Sequence, residues 1–111
     1  MELEIQTAQE AGACVVTLEG EVDVYTASQL KDVLVETIEG GCVNVVVDLD
    51  RVSFIDSSGL GVLVGALRRA KERAGSVRLV CARENVLKIF RITGLDKVFP
   101  IFASVGEASA F

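Results

Sequence analysis

The sequence predicts an α/β domain: a mixed, mostly parallel sheet with an antiparallel hairpin at its N-terminus and helices packed on it. Three observations predict it. Apolar runs of strand length alternate with segments of helical period along most of the chain, the pattern of successive βα units. The first two strand-like runs are separated by only a short turn, which a hairpin permits and a parallel crossover does not. The run Val43-Asn44-Val45-Val46-Val47 is β-branched and nearly unbroken, as expected of a strand covered on both faces. At 111 residues, residues 1–111 form one domain, of a size that buries roughly two-thirds of its unfolded surface.

Each element has its own signal. Leu3-Glu4-Ile5 alternates as a strand, Gln9-Glu10-Ala11-Gly12 is a turn, and Cys14-Val15-Val16-Thr17-Leu18 is the second strand. Gly20-Glu21-Val22-Asp23 is read as a loop. Thr26-Ala27-Ser28-Gln29 fits a capping box. Leu30, Val33, Leu34, Thr37 and Ile38 then follow at helical spacing until Gly40-Gly41 ends the helix. Beyond the Val43–Val47 strand, Leu60, Leu63, Val64, Leu67 and Ala70 mark the inner face of a second helix, closed by Gly75.

Val77-Arg78-Leu79-Val80-Cys81 is the next strand, and Val86, Leu87, Ile89 and Phe90 mark a third helix with Gly94 at its C′ position and Leu95 making the contact that follows. Lys97-Val98-Phe99-Pro100-Ile101 is read as a last strand, at an edge because Pro100 lacks a donor. Ser104-Val105-Gly106-Glu107 caps a short terminal helix. The order is β-β-α-β-α-β-α-β-(α).

Composition narrows the function. The net charge of −5 argues against a nucleic-acid surface, which needs clustered Lys and Arg. There is no histidine, which removes the usual general base, the usual zinc ligand and every Ser-His-Asp arrangement. Cys14, Cys42 and Cys81 are odd in number and lie in or beside apolar runs, so they are expected to be buried and reduced, in a cytoplasmic protein. The acidic N-terminus lacks the pattern of a signal peptide. No apolar segment approaches the ~20 residues of a membrane span. A soluble protein without a membrane role is expected.

Enzymatic activity is not expected. Asp23, Asp48, Asp50 and Asp56 could supply carboxylates and Ser57 or Ser58 a nucleophile, but a serine nucleophile needs an adjacent base. No lysine lies near those serines in sequence, the G-x-S-x-G elbow is absent, and no Gly-Lys-Ser/Thr follows Gly59. An aspartyl-phosphate receiver fits poorly, because the strand at Val77 ends in Cys81-Ala82 without a hydroxyl. No cofactor is implied.

The stretch Phe54-Ile55-Asp56-Ser57-Ser58-Gly59-Leu60-Gly61-Val62 remains. Taken alone, Asp-Ser-Ser-Gly is how a helix starts, its side-chain oxygens accepting from free N–H groups of the first turn. The glycines around it are less ordinary, since each costs a helix up to ~1 kcal/mol relative to Ala. Gly61 and Gly65 share a face, and it is not that of Leu60, Leu63 and Leu67. A smooth strip of that kind either packs against a neighbouring element or docks another protein, and the spacing leaves both open.

These residues resemble the signature of bacterial anti-sigma factor antagonists, which are STAS domains. Gly20-Glu21-Val22-Asp23 followed by Thr26-Ala27 is similar to a second characteristic segment of that family, and Ile92-Thr93-Gly94-Leu95 to a third. The likeness runs from about Cys14 to Ile101. It implies a single STAS-like domain and a partner-switching role. The unmodified protein would bind an anti-sigma factor serine kinase and free the sigma factor. Phosphorylation would end that binding, and a PP2C-type serine phosphatase would restore it.

The resemblance puts the acceptor at Ser57, directly after Asp56, with Ser58 at a position where the family has Ser or Thr and Asp23 on the loop beside the site. Asp23, Thr26, Asp56, Ser58, Gly59, Gly61, Val62 and Gly65 are the expected partner contacts, and the free protein is expected to be a monomer. The alternative is a STAS scaffold that is never phosphorylated, an interaction module in a stress-sensing or lipid-transport complex. If the switch reading holds, Ser57 should be exposed at the carboxyl end of a parallel strand, where α/β sheets place their sites. Asp23 should lie within about two helical turns, ~11 Å.

Overall fold

The computed structural model describes residues 2–110. A five-stranded sheet is ordered as the chain is, β1 (Leu3–Glu10), β2 (Ala13–Val22), β3 (Asn44–Ile55), β4 (Ser76–Val80) and β5 (Ile101–Phe102). The β1–β2 pair is antiparallel and every other pair is parallel. The hairpin turns through Ala11 and Gly12, both at positive φ, the geometry whose twist matches the flanking strands.

Strand residues alternate between two apolar layers. Val16, Leu18, Val45, Val47, Val77 and Leu79 face the main core. There they meet three helices: α1 (Ala27–Glu39) through Leu30, Leu34 and Ile38, α2 (Ser57–Glu72) through Leu63 and Leu67, and α3 (Glu84–Thr93) through Val86 and Phe90. On the opposite face Val15, Val46 and Val80 meet Ala108 of the terminal helix α4 (Val105–Ala110). Arg78 fastens that helix by donating to the Ala108 carbonyl at 2.9 Å, and Ser104 Oγ accepts from the Glu107 amide at its start. The fold class read from the sequence is the one observed.

Several local expectations change. Gly20 to Val22 is strand, not loop, because β2 keeps pairing with β3 as far as Val22 and Ile55. Register shifts between Thr17 and Glu19 and between Gly20 and Glu21 allow this. Gly20 is required there: its φ is +127°, and a Cβ would come within 2.2 Å of the Glu2 carbonyl oxygen. The capping box does not form. Gln29 reaches away to donate to the Leu3 carbonyl, and Thr26 makes no cap bond to α1.

The Lys97–Ile101 strand is also corrected. Leu95–Lys97 is a 3-10 turn, and the Phe99 amide donates back to Leu95. This turn buries Phe99 edge-on against Phe90 at 6.4 Å. Only Ile101–Phe102 remains to pair with β4, at the sheet edge, directly after Pro100. Gly94 does end α3 in the left-handed conformation.

The cysteines differ most from expectation. Cys14 and Cys42 form a disulfide, with Cα atoms 6.3 Å apart. The parallel register explains the contact: Cys14 pairs with Val45, and the turn from α1 enters β3 just before it. Cys81 is free and buried, its thiol pKa raised by burial. The crosslink spans 28 residues, so on the chain-entropy estimate its reduction should lower stability by ~3–4 kcal/mol. Urea unfolding with and without dithiothreitol measures this. Cys42→Ser should match the reduced protein, and Cys81→Ser should leave the difference intact.

Candidate functional site

The site is built where β2 and β3 end together. Val22 pairs with Ile55, and the Asp56 amide donates to the Val22 carbonyl at 3.0 Å. Neighbouring strands lie ~4.8 Å apart, so Asp23 and Asp56, the next residue of each chain segment, leave the sheet side by side. The carboxyl ends of two parallel strands therefore present the two loops that the sequence singles out.

Asp56 is the N-cap of α2. Its Oδ1 accepts from the Ser58 amide at 2.9 Å and the Gly59 amide at 3.2 Å. One carboxylate oxygen thus satisfies two of the amides that a helix start leaves without partners. Ser57, the first residue of the helix, is exposed. Its hydroxyl takes no part in the cap and makes no hydrogen bond among the described residues. The cap and the candidate acceptor are different side chains.

Asp23 organises the facing loop. Its Oδ1 accepts from the Tyr25 amide at 2.9 Å and the Thr26 amide at 3.1 Å. Loss of water is the largest single influence on this carboxyl and raises its pKa. Hydrogen bonds from Tyr25 and Thr26 together outweigh it and hold the pKa below the ordinary value. Thr26 accepts from the Asp23 amide and donates to the Glu21 carbonyl at 2.8 Å. The loop so folded pushes Val24 (66% exposed) and Tyr25 (79% exposed) into solvent. Large side chains this exposed, beside the candidate acceptor, are features that the sequence reading passed over; an apolar-aromatic pair inside a polar loop was the available signal.

Two of the expected contact residues, Thr26 and Gly59, are buried. Thr26 is only 4% exposed, so its hydroxyl latches the Asp23 loop from inside. Gly59 is buried, and a Cβ there would lie 2.5 Å from Val22 Cγ1 and 2.8 Å from Ile55 Cγ1. It lets α2 sit down on the ends of β2 and β3. Gly61 and Gly65 behave differently: a Cβ at either would meet nothing within 4 Å. Together with Ser58 and Val62 they line a groove of about 530 Å³ between α1 and α2. Lys31 and Arg68 also line it, and these the sequence reading did not single out. Among the described residues no group of three or more His, Cys, Asp or Glu could hold a metal ion.

The glycines can be told apart by substitution. Gly59→Ala should overpack the Val22–Ile55 contact and destabilise by ~1–3 kcal/mol. Gly61→Ala should be neutral or stabilise by up to ~1 kcal/mol, as a helix favours Ala and the space is empty. Thermal unfolding of the two variants tests the contrast. Because the Asp23 pKa is lowered in the folded state, the order of its loop should be complete above the ordinary Asp value and be lost as pH falls through the lowered one. The amide shifts of Tyr25 and Thr26 should follow that titration, and in Asp23→Asn they should stay flat across the acid range.

Comparison with known proteins identifies the family and the fold. The STAS domain family model matches residues 4–108. The anti-sigma-B factor antagonist of Bacillus subtilis (strain 168) is 36% identical over 103 residues, 93% of this chain and 94% of that protein. The crystal structure of an anti-sigma factor antagonist from Mycobacterium paratuberculosis superposes with a TM-score of 0.90 at 26% identity, covering 98% of this chain and 92% of the other. The Bacillus cell fate determinant SpoIIAA in its phosphorylated form gives a TM-score of 0.73 at 27% identity, over 95% and 96% of the two chains. The chain belongs to the STAS domain family.

Proposed function

We propose that this chain is an anti-sigma factor antagonist that acts by partner switching and carries its switch at Ser57. Unmodified, it binds an anti-sigma factor serine kinase and so frees a sigma factor. Phosphorylated on Ser57, it lets the kinase go, and a PP2C-type serine phosphatase resets it. The observation that carries this reading is the division of labour at the start of α2. Asp56 satisfies the helix amides, so the Ser57 hydroxyl is exposed and uncommitted. The chain acts by binding rather than by catalysis, as a monomer when free. A sigma-factor circuit works where transcription does, which puts it in the cytoplasm. The names of the 36%-identical relative and of the superposed structure support the assignment.

The electrostatics favour a switch that leaves the fold alone. A phosphate adds about −1.5 to −2 charges. At the N-terminus of a helix the dipole and amides favour an anion by up to ~2 kcal/mol. Asp56 and Asp23 oppose it by repulsion, so the two influences roughly offset in the free protein. At a packed interface nothing offsets the added bulk and charge. A penalty of ~3 kcal/mol there weakens association more than a hundredfold.

Incubation with ATP and an extract of the source cells should add one phosphate to the wild type and none to Ser57→Ala, read by mass spectrometry. Against the isolated kinase, Ser57→Ala should bind as the wild type does and never be released by ATP. Ser57→Asp should fold normally and bind at least about a hundredfold more weakly. Continued phosphate uptake by Ser57→Ala would move the acceptor to Ser58. Equal affinity of Ser57→Asp and the wild type would overturn the switch.

A further inference from the structure

The groove between α1 and α2 begins at Ser58, next to the acceptor, and runs down α2 past Gly61, Gly65 and Arg68 to Glu72. Its opposite wall is α1, with Lys31, Leu34 and Val35. The groove is open because Gly61 and Gly65, one turn apart on α2, bring no side chain into it, and a Cβ at either would meet nothing within 4 Å.

Charge says what fits. The whole chain carries −5, yet this groove is flanked by Lys31 and Arg68, and neither has a carboxylate partner among the described residues. Arg69, also on its wall, pairs with Glu39 at 3.7 Å. Glu72 is an acid on the same lining, at the end far from Ser58. A cationic, apolar-floored channel on an acidic body attracts acidic segments.

We propose that this groove seats a short acidic segment of the partner protein, with Glu or Asp side chains meeting Lys31 and Arg68 and a small apolar residue between them over Val35 and Val62. The proposal rests on the partner-switching reading and deepens it. An acidic segment docked beside Ser58 would face a phosphate on Ser57 at close range, so like-charge repulsion joins bulk in releasing the partner.

The groove can be tested without the kinase. A short synthetic peptide of alternating Glu, Ala and Leu should shift the amide resonances of Gly61 and Gly65, and high salt should weaken the effect. The same peptide with Lys in place of Glu should not shift them. The double variant Lys31→Glu/Arg68→Glu, whose unfolding curve should match the wild type because both side chains are exposed, should lose the response. Gly65→Arg should lose it through bulk despite its added positive charge. Shifts that lie elsewhere, that are equal for the Lys peptide, or that persist in the double variant would overturn the proposal.

Against the isolated kinase the double variant should bind roughly thirtyfold more weakly, with a shallower dependence on salt. Unchanged kinase affinity in that variant would overturn the groove and leave the switch at Ser57 standing. A wild type that binds the acidic peptide and no anti-sigma kinase would do the reverse.

Discussion

The parallel pairing of β2 with β3 is the constraint on which the site depends. Had β2 stopped at Leu18, the Asp23 loop would leave the sheet well before the Asp56 turn, and the two would not be neighbours. The two register shifts let the strands stay together to Val22 and Ile55. The Asp56 amide then closes the last rung on the Val22 carbonyl. Gly20 makes this possible from the other side, because the chain entering β1 crosses so close to it that no side chain would fit. A requirement of backbone packing therefore decides where the two loops of the candidate site emerge.

At that rim, the polar groups separate into those that hold the backbone and those that do not. Asp23 and Asp56 each direct one carboxylate oxygen into neighbouring amides, and Thr26 is drawn inside to tie the Asp23 loop to Glu21. What is left facing solvent is Ser57, Val24, Tyr25 and the glycine-lined groove. Rigid support and exposed side chains lie within a few residues of each other.

The parts of this arrangement that were legible in the sequence are the local ones. Helical period located α1, α2 and α3, the hairpin turn was visible in Ala11-Gly12, and Gly94 marked the end of α3, because each signal is written within a few residues. The parts that were not legible depend on distant partners. Gly59, Gly61 and Gly65 look alike in sequence, and only Val22 and Ile55, packed against the first of them, make it a core residue. The Thr26–Gln29 box was overridden because Leu3 and Glu21 offered better-placed carbonyls. The Cys14–Cys42 bridge could not be seen at a separation of 28 residues, since it follows from how β2 and β3 are aligned. Phe99 likewise left the expected strand for a place against Phe90.

Because Asp56 alone caps α2, position 57 is relieved of any structural duty. A residue under such a double obligation could change only along paths that preserve the helix start. On the switch proposed above, mutation can alter the regulatory letter while the grammar of the fold stays intact. Under that proposal, related chains could gain, lose or exchange the acceptor at that site in a single step, and a switchable antagonist could become a permanently active or permanently silent one without passing through an unfolded ancestor.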